Sequence, residues 1–399
     1  AEGAGDATTY RTVLGKTANI DSEGDLLVAA ENDINNTGAN LAAEGTAILD
    51  AGNDINIDTI ENKTTETTYD DTGDGRTLET VTENNHIGSQ LDVGGDLALR
   101  SGGDATIGGS DTNVDGNLIT ETGGSFKLES RQDSTTTHTV EQESGAGVGG
   151  GVWGNQTTTT DDFQGTNKAS NLNVKGSALV DSDEDIVVQG SNMTVDGDAA
   201  LRADRDIKVL DGHDERRTTT TTETTTFLST ESTDRGETLS DASAGSGNAA
   251  AQASASTSET AGNDSAVNFY KSTETTETET SRTSVASTLD VGGGLSAEAG
   301  EDLTIRGSDV SGAAVALSGK NVEILAGKST TSRTTESEST SVGIFTDSNT
   351  STSAQANANA TGMTANAQAG AGASAEADTT VTLGARHEQS SSQSSSVTH

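Results

Sequence analysis

The sequence predicts an all-β protein: a right-handed parallel β-helix with three short strands in each turn of 21 residues, carrying Thr/Ser-rich hairpin or ribbon insertions. Three observations predict it. First, the segment SQLDVGGDLALRSGGDATIGG, from Ser89 to Gly109, returns as SNLNVKGSALVDSDEDIVVQG from Ser170 and as STLDVGGGLSAEAGEDLTIRG from Ser287. A more divergent copy, ANIDSEGDLLVAAENDINNTG, starts at Ala18. Each is followed at once by a second copy, so four paired units hold eight repeats; glycines mark the period, 21 residues from Gly95 to Gly116 and from Gly176 to Gly197, but 19 from Gly293 to Gly312. Second, apolar residues inside a copy come in pairs spaced i, i+2 (Leu91 and Val93, Leu97 and Leu99, Ala105 and Ile107), the period of a strand with one buried face. Third, Gly, Asp, Asn or Ser separates the pairs, and these residues make corners.

Three strands and three corners close one three-sided turn. Stacking such turns puts Leu91, Leu172 and Leu289 in one column and Ile107, Val188 and Ile305 in another. Eight turns would rise about 40 Å at the strand spacing of a parallel sheet.

In chain order, 1–17 is the end of a preceding insertion and 18–58 the first β-helical unit. Residues 59–88 form a Thr-rich hairpin, with β-branched arms on both sides of the turn residues TGDG. The second unit is 89–129, followed by a Thr/Gly-rich insertion over 130–169. The third unit is 170–210, and a long Thr/Ala/Ser-rich insertion covers 211–286. Its arms, RRTTTTTETTTFLSTES from Arg216 and NFYKSTETTETETSRTS from Asn268, are expected to pair as a two-stranded ribbon. The fourth unit is 287–326, and 327–399 is an insertion expected to be clipped before a next unit.

Composition fits this architecture. Aromatics make up 2% of the 399 residues, and neither proline nor cysteine occurs. Missing proline suits long runs of paired strand, and missing cysteine excludes a disulfide framework and thiol chemistry. A thin repetitive core needs few aromatics. With 63 acidic against 22 basic residues the formal charge is −41, which repels nucleic acid and anionic membrane surfaces. No apolar run approaches the roughly 18 residues of a membrane-spanning helix. The chain starts at Ala1 without a signal peptide, and the expectation is a piece cut or processed from a larger protein.

The segments GSQLDVGGDLALRSGGDATIGGSD from Gly88 and ASTLDVGGGLSAEAGEDLTIRGSDV from Ala286 resemble the haemagglutinin repeats of filamentous-haemagglutinin-like exoproteins of bacterial two-partner secretion. The insertions ESGAGVGGGVWGN from Glu143 and STSVGIFTDSN from Ser339 are similar to that family's as well. The resemblance implies a fibre on the bacterial surface, exported through an outer-membrane transporter, that meets a target-cell receptor or outer membrane. Large adhesins and contact-dependent growth-inhibition toxins share this pattern, so it implies cell–cell contact, by adhesion or toxin delivery, and no enzyme activity.

Residues that would carry chemistry are few. A carbohydrate-active β-helix enzyme would cluster carboxylates and a base on one face of neighbouring turns. Asp104, Asp185 and Asp302 do stack, at the corner before the third strand, where the expected role is to bond their own backbone turn. His86, His138, His213, His387 and His399 lie in or beside insertions without metal-ligand spacing. A calcium-dependent adhesin would need a nonapeptide glycine–aspartate pattern that VGGDLALRSGGD does not reproduce. The Thr runs would suit an ordered-water surface only if they recurred in register, and outside the turns they are not expected to do so. No cofactor, metal or catalytic residue is therefore assigned. Trp153, Phe227 and Phe345, in the insertion segments GVWGN, TTFLS and GIFTD, are the candidate partner contacts.

Overall fold

The computed structural model describes residues 6–71, 75–245, 252–359 and 368–398. Residues 1–5, most of the TGDG segment expected from sequence to turn (72–74), parts of the Ala/Gly-rich segments at 246–251 and 360–367, and His399 lie outside the described residues.

Each i, i+2 apolar pair sits on a strand, so that Gln90–Val93, Leu97–Ser101 and Ala105–Gly108 make one turn. Eight turns stack as a parallel β-helix: 19–37, 40–58, 90–108, 111–129, 171–189, 192–210, 288–306 and 309–325, numbered here 1 to 8. Like strands pair in parallel and in register, so that Leu91 adjoins Thr112, then Leu172, Met193 and Leu289. The third strands form an eight-stranded sheet; the first two faces join as a fourteen-stranded one, because Thr288–Ala299 runs round its corner unbroken. In turn 8 the corner between Gly312 and Ala314 is one residue shorter than its partner between Val291 and Gly294 in turn 7, and the register shifts there.

The core is the narrow column between the three faces. Leu49, Leu97, Leu99, Phe126 and Leu128 are sealed in it. Polar residues interrupt it in places: Asn36 is buried with its side-chain nitrogen unpartnered, and Thr112 and Thr120 are fully buried with neither hydroxyl having a hydrogen-bond partner among the described residues. Thr120 lies between Leu99 and Val180. An unpaired buried hydroxyl costs more than an isosteric methyl, so Thr120→Val is expected to raise stability by about 1 kcal/mol, read as a higher urea midpoint.

Each corner carries its own ladder of side-chain hydrogen bonds between turns. Before the first strand it is serine: Ser89 N–H donates to Ser110 Oγ at 3.0 Å, Ser170 to Ser191 at 3.1 Å and Ser191 to Ser287 at 3.2 Å. Before the second strand, Asp96 Oδ1 accepts from Asn117 N–H at 2.7 Å, and Asn117 Oδ1 accepts from Ser177 N–H at 2.9 Å. Before the third strand, Asp54 accepts from Asp104 N–H at 2.8 Å, Asp104 from Ser125 at 2.7 Å, and Asp206 from Asp302 at 3.0 Å. This corrects the expected role of the corner aspartates: Asp104 and Asp185, the latter accepting from Asp206 N–H at 3.2 Å, bond the backbone of the next turn and not their own, and Asp302 accepts from the Asn321 side-chain amide of the next turn at 2.7 Å. A corner N–H lies beyond the strand ladder and would otherwise go unpaired.

Odd and even turns leave the solenoid differently. Gly38, Gly109, Gly190 and Gly307 end turns 1, 3, 5 and 7 with φ between 53° and 59°. In that left-handed region a Cβ is unfavourable, and at Gly109 one would also press on Thr59. There the chain continues into the next turn. Thr59, Ser130 and Asp211, without positive φ, hold the same place in turns 2, 4 and 6, and the chain departs there into an insertion.

The insertions do not remain separate two-stranded ribbons. Their strands are β1 (Asp6–Arg11), β2 (Ile60–Asp71), β3 (Gly75–Ile87), β4 (Arg131–Gly145), β5 (Gly151–Lys168), β6 (Gly212–Gly245), β7 (Gln252–Val285), β8 (Ser329–Asn359) and β9 (Gln368–Thr398). They form one nine-stranded antiparallel sheet in chain order. Thr159 adjoins Thr221, which adjoins Thr276, so the threonines do recur in register, contrary to the reading from sequence. Hydroxyls of Thr221 and Thr276 meet at 3.1 Å, and those of Thr65 and Thr82 at 3.2 Å.

Spacing explains the pairing. Two turns advance the solenoid by two parallel strand spacings, and one hairpin advances the sheet by two antiparallel ones, in both cases roughly 9.6 Å. Each hairpin therefore arrives beside its predecessor. Side chains lock the bases together: Asp133 accepts from His86 N–H at 2.6 Å, Asp214 from Asn167 N–H at 2.7 Å and Ser329 Oγ from Ser284 N–H at 3.1 Å.

Candidate functional site

The stacked aspartates are engaged in structure. Burial pushes the Asp104 carboxyl up, but Lys127 and the Ser125 amide outweigh it and hold it below the ordinary value. Lys208 and the Asp302 amide hold Asp206 down. Such carboxylates favour the charged form and are poorly suited to act as general acids. On the outer surface of the second strands, Asp50, Arg100, Glu121 and Asp181 follow one another in register and line a shallow concavity of about 460 Å³. Arg100 and Glu121 there form an exposed ion pair at 3.3 Å.

The histidines are spread along the insertions. His138 Nδ1 lies 2.6 Å from Asp161, and His387 Nε2 lies 3.7 Å from Glu338. Among the described residues, no three His, Asp or Glu side chains converge as a metal ion would require. No helix among them is long and apolar enough to cross a membrane.

At the exit of turn 6, the Asp211 carboxylate accepts from Ser284 Oγ at 2.6 Å and from Arg306 Nε at 2.8 Å, with His213 Nε2 at 3.7 Å. Burial pushes Asp211 up, but Ser284 and Arg306 outweigh it and hold its carboxyl below the ordinary value. Burial and the nearby Arg282 hold the His213 imidazole below its ordinary value, against the pull of Asp211. Both shifts favour the deprotonated form in the fold, so both stabilise at neutral pH and weaken on acidification. The His213 contribution falls below about pH 6.5 and the Asp211 contribution below about pH 4. His213→Gln is expected to remove the first loss and keep the second, read as the difference from the parent in urea midpoint against pH.

Exposed apolar side chains such as Leu27 and Ile324 occur on the end turns of the solenoid, but on the sheet they line up in rows across neighbouring strands. Trp153 adjoins Phe227, Phe227 adjoins Tyr270, and Tyr270 adjoins Val342 across β5 to β8. Directly opposed residues point to the same face. Phe227 and Tyr270 meet edge to face with centroids 5.7 Å apart. Val267, Ile344 and Leu383 make a second row on that face. All seven are exposed, from 37% at Tyr270 to 74% at Leu383. The two rows flank an irregularity, where Leu228 takes φ 54° and Phe269 is an extra residue relative to β8. A bulge of this kind re-aims side chains, and here it brings Tyr270 and Val267, three residues apart, onto one face.

Of the three aromatics singled out from sequence, the structure brings Trp153 and Phe227 together in this belt. Phe345 is the exception: it lies on the opposite face, 5% exposed, under the Arg386 guanidinium at 4.7 Å. Tyr270 and Val342 were not foreseen, because only the register across three strands sets them beside Phe227.

Comparison with known proteins accords with this layout. The family model described as hemagglutinin repeat matches four times, over residues 6–77, 71–160, 151–274 and 267–399. Each match takes in a strand entering from the sheet, two turns of solenoid and a strand returning to the sheet. No curated protein matches the chain. With four successive matches running almost from end to end, this chain belongs to the hemagglutinin repeat family.

Proposed function

We propose that this chain is a non-catalytic stalk segment of a secreted bacterial surface exoprotein, exported through an outer-membrane two-partner-secretion transporter. Its role is cell–cell contact, as an adhesin or as the carrier of a growth-inhibition toxin. The observation that carries the reading is a division of labour. Inward residues of the solenoid fill its core and its corner residues bond the neighbouring turn, whereas the exposed apolar belt lies on the sheet that the turns hold out. Stiff scaffold and outward contact surface suit a protein that must reach a receptor on another cell.

Trp153 and Phe227 are the contact residues in this reading. Trp153→Ser with Phe227→Ser is expected to remove most binding of the labelled chain to target bacteria while leaving its circular dichroism spectrum unchanged. Undiminished binding by the double variant would remove the belt from the contact. The charged column of Asp50, Arg100, Glu121 and Asp181 favours a second reading, an enzyme acting on an extended polysaccharide. Cleavage of an acidic or neutral polysaccharide by the chain, abolished in Glu121→Gln, would replace the stalk with that enzyme.

A further inference from the structure

We propose that the belt is a docking surface for a partner-protein segment that is both amphipathic and cationic, with an apolar strip flanked on one side by Lys or Arg. This rests on the reading of the sheet as the contact-bearing part of the chain, and it adds the chemistry of what docks.

Charge complementarity carries the inference. Four residues nearer the solenoid than Phe227, Tyr270 and Val342, and on the same face, stand Glu223, Glu274 and Glu338. They are directly opposed across three neighbouring strands, and all are exposed. Like charges opposed across strands destabilise a sheet. Among the described residues no Lys or Arg pairs with any of the three, and only His387 approaches, 3.7 Å from Glu338. The cations nearest the belt serve the other face, where Lys271 pairs with Glu231 and Arg386 covers Phe345. One face thus combines exposed aromatics with a bare line of carboxylates.

The separation also fits. Four residues of strand span about 13 Å, and a helix with its side chains is about 10–12 Å across. A helix laid along the belt would set basic side chains on one flank over the glutamate line. The same carboxylates, on a chain of net charge −41, oppose an anionic lipid surface and a second copy stacked in register.

Trp153 is the only tryptophan, so its fluorescence reports on the belt directly. The probe is a helical peptide of Leu and Lys, with Leu in one strip and Lys beside it; a Leu/Glu peptide of the same pattern is the control. Titrating the full chain with the Leu/Lys peptide is expected to give a saturable blue shift. Phe227→Thr with Tyr270→Thr should weaken binding at least about tenfold. Glu223→Gln, Glu274→Gln and Glu338→Gln together should weaken it and flatten its salt dependence, with the sheet spectrum retained in both variants. No shift, an equal shift with the Leu/Glu peptide, or full affinity in the triple variant would overturn the proposal. A shift with protein concentration alone would assign the belt to a second copy, and one with phosphatidylcholine vesicles alone to a lipid surface; either overturns it. Binding to target bacteria that persists in the absence of peptide binding would keep the contact role and remove this partner chemistry.

Discussion

Leu97→Asp is expected to lower the stability of the chain by about 4 kcal/mol or more, enough to unravel the turns around it. Leu97 is fully buried, stacked between Ala47 and Leu118. Removing its side chain alone costs about 2–5 kcal/mol in a core that cannot collapse, and burying an unpaired carboxylate adds to that. Thr221→Ala, in the middle of the sheet, removes one hydroxyl contact to Thr276 and is expected to cost under about 1 kcal/mol. Urea unfolding followed by circular dichroism checks both; similar midpoints would contradict the three-sided core. Hydrogen exchange adds a local reading, because a stacked array opens in parts and the losses should centre on turns 2 to 4.

The second large effect concerns the match between solenoid and sheet. Deleting 110–130 removes one turn and leaves every hairpin in place. The solenoid then falls short by one strand spacing, roughly 4.8 Å, while the sheet does not. The base bonds from His86 to Asp133 and from Asn167 to Asp214 can no longer form together, and the hairpins lose register. Deleting 89–169 instead removes two turns with one hairpin, which keeps the match. We expect the 21-residue deletion to be protease-sensitive with weakened unfolding cooperativity, and the 81-residue deletion to fold. Limited proteolysis of the two proteins decides it, since the reverse order of sensitivity would show that the hairpins are independent of the solenoid's rise.

Much of the solenoid was legible because its signals are short and local. A pair such as Leu97 and Leu99 identifies its own strand, and the return of SQLDV as SNLNV puts Leu91 and Leu172 in one column without further information. The corner ladders were half legible. Aspartate before the third strand is a corner residue in any reading, but the N–H it accepts belongs to the next turn, 96 residues later for Asp206 and Asp302. The insertion sheet was least legible. Thr-rich arms are polar on both faces, so no buried pattern fixes which hairpin joins which, or in what register. That information resides in the strand spacing, which no single insertion contains. The belt shows the same limit: Trp153 and Phe227 attract notice as rare aromatics, but Phe345 resembles them and faces the other way. Its place follows from the extra residue at Phe269 and the left-handed Leu228, neither of which the local sequence announces.

The unequal length of the hairpins has a consequence for how such a segment occupies space. The strands grow from 12 and 13 residues in β2 and β3 to 34 in each of β6 and β7. At the rise of an extended chain the long hairpins reach roughly 100 Å sideways, whereas eight turns climb only about 40 Å. The outline is that of a vane on a short mast. Neighbours on a crowded surface can approach the bare side of the mast closely and are held off on the vane side. Rotation about the mast therefore decides which way the belt looks, and a run of such units would turn all its vanes to the same flank.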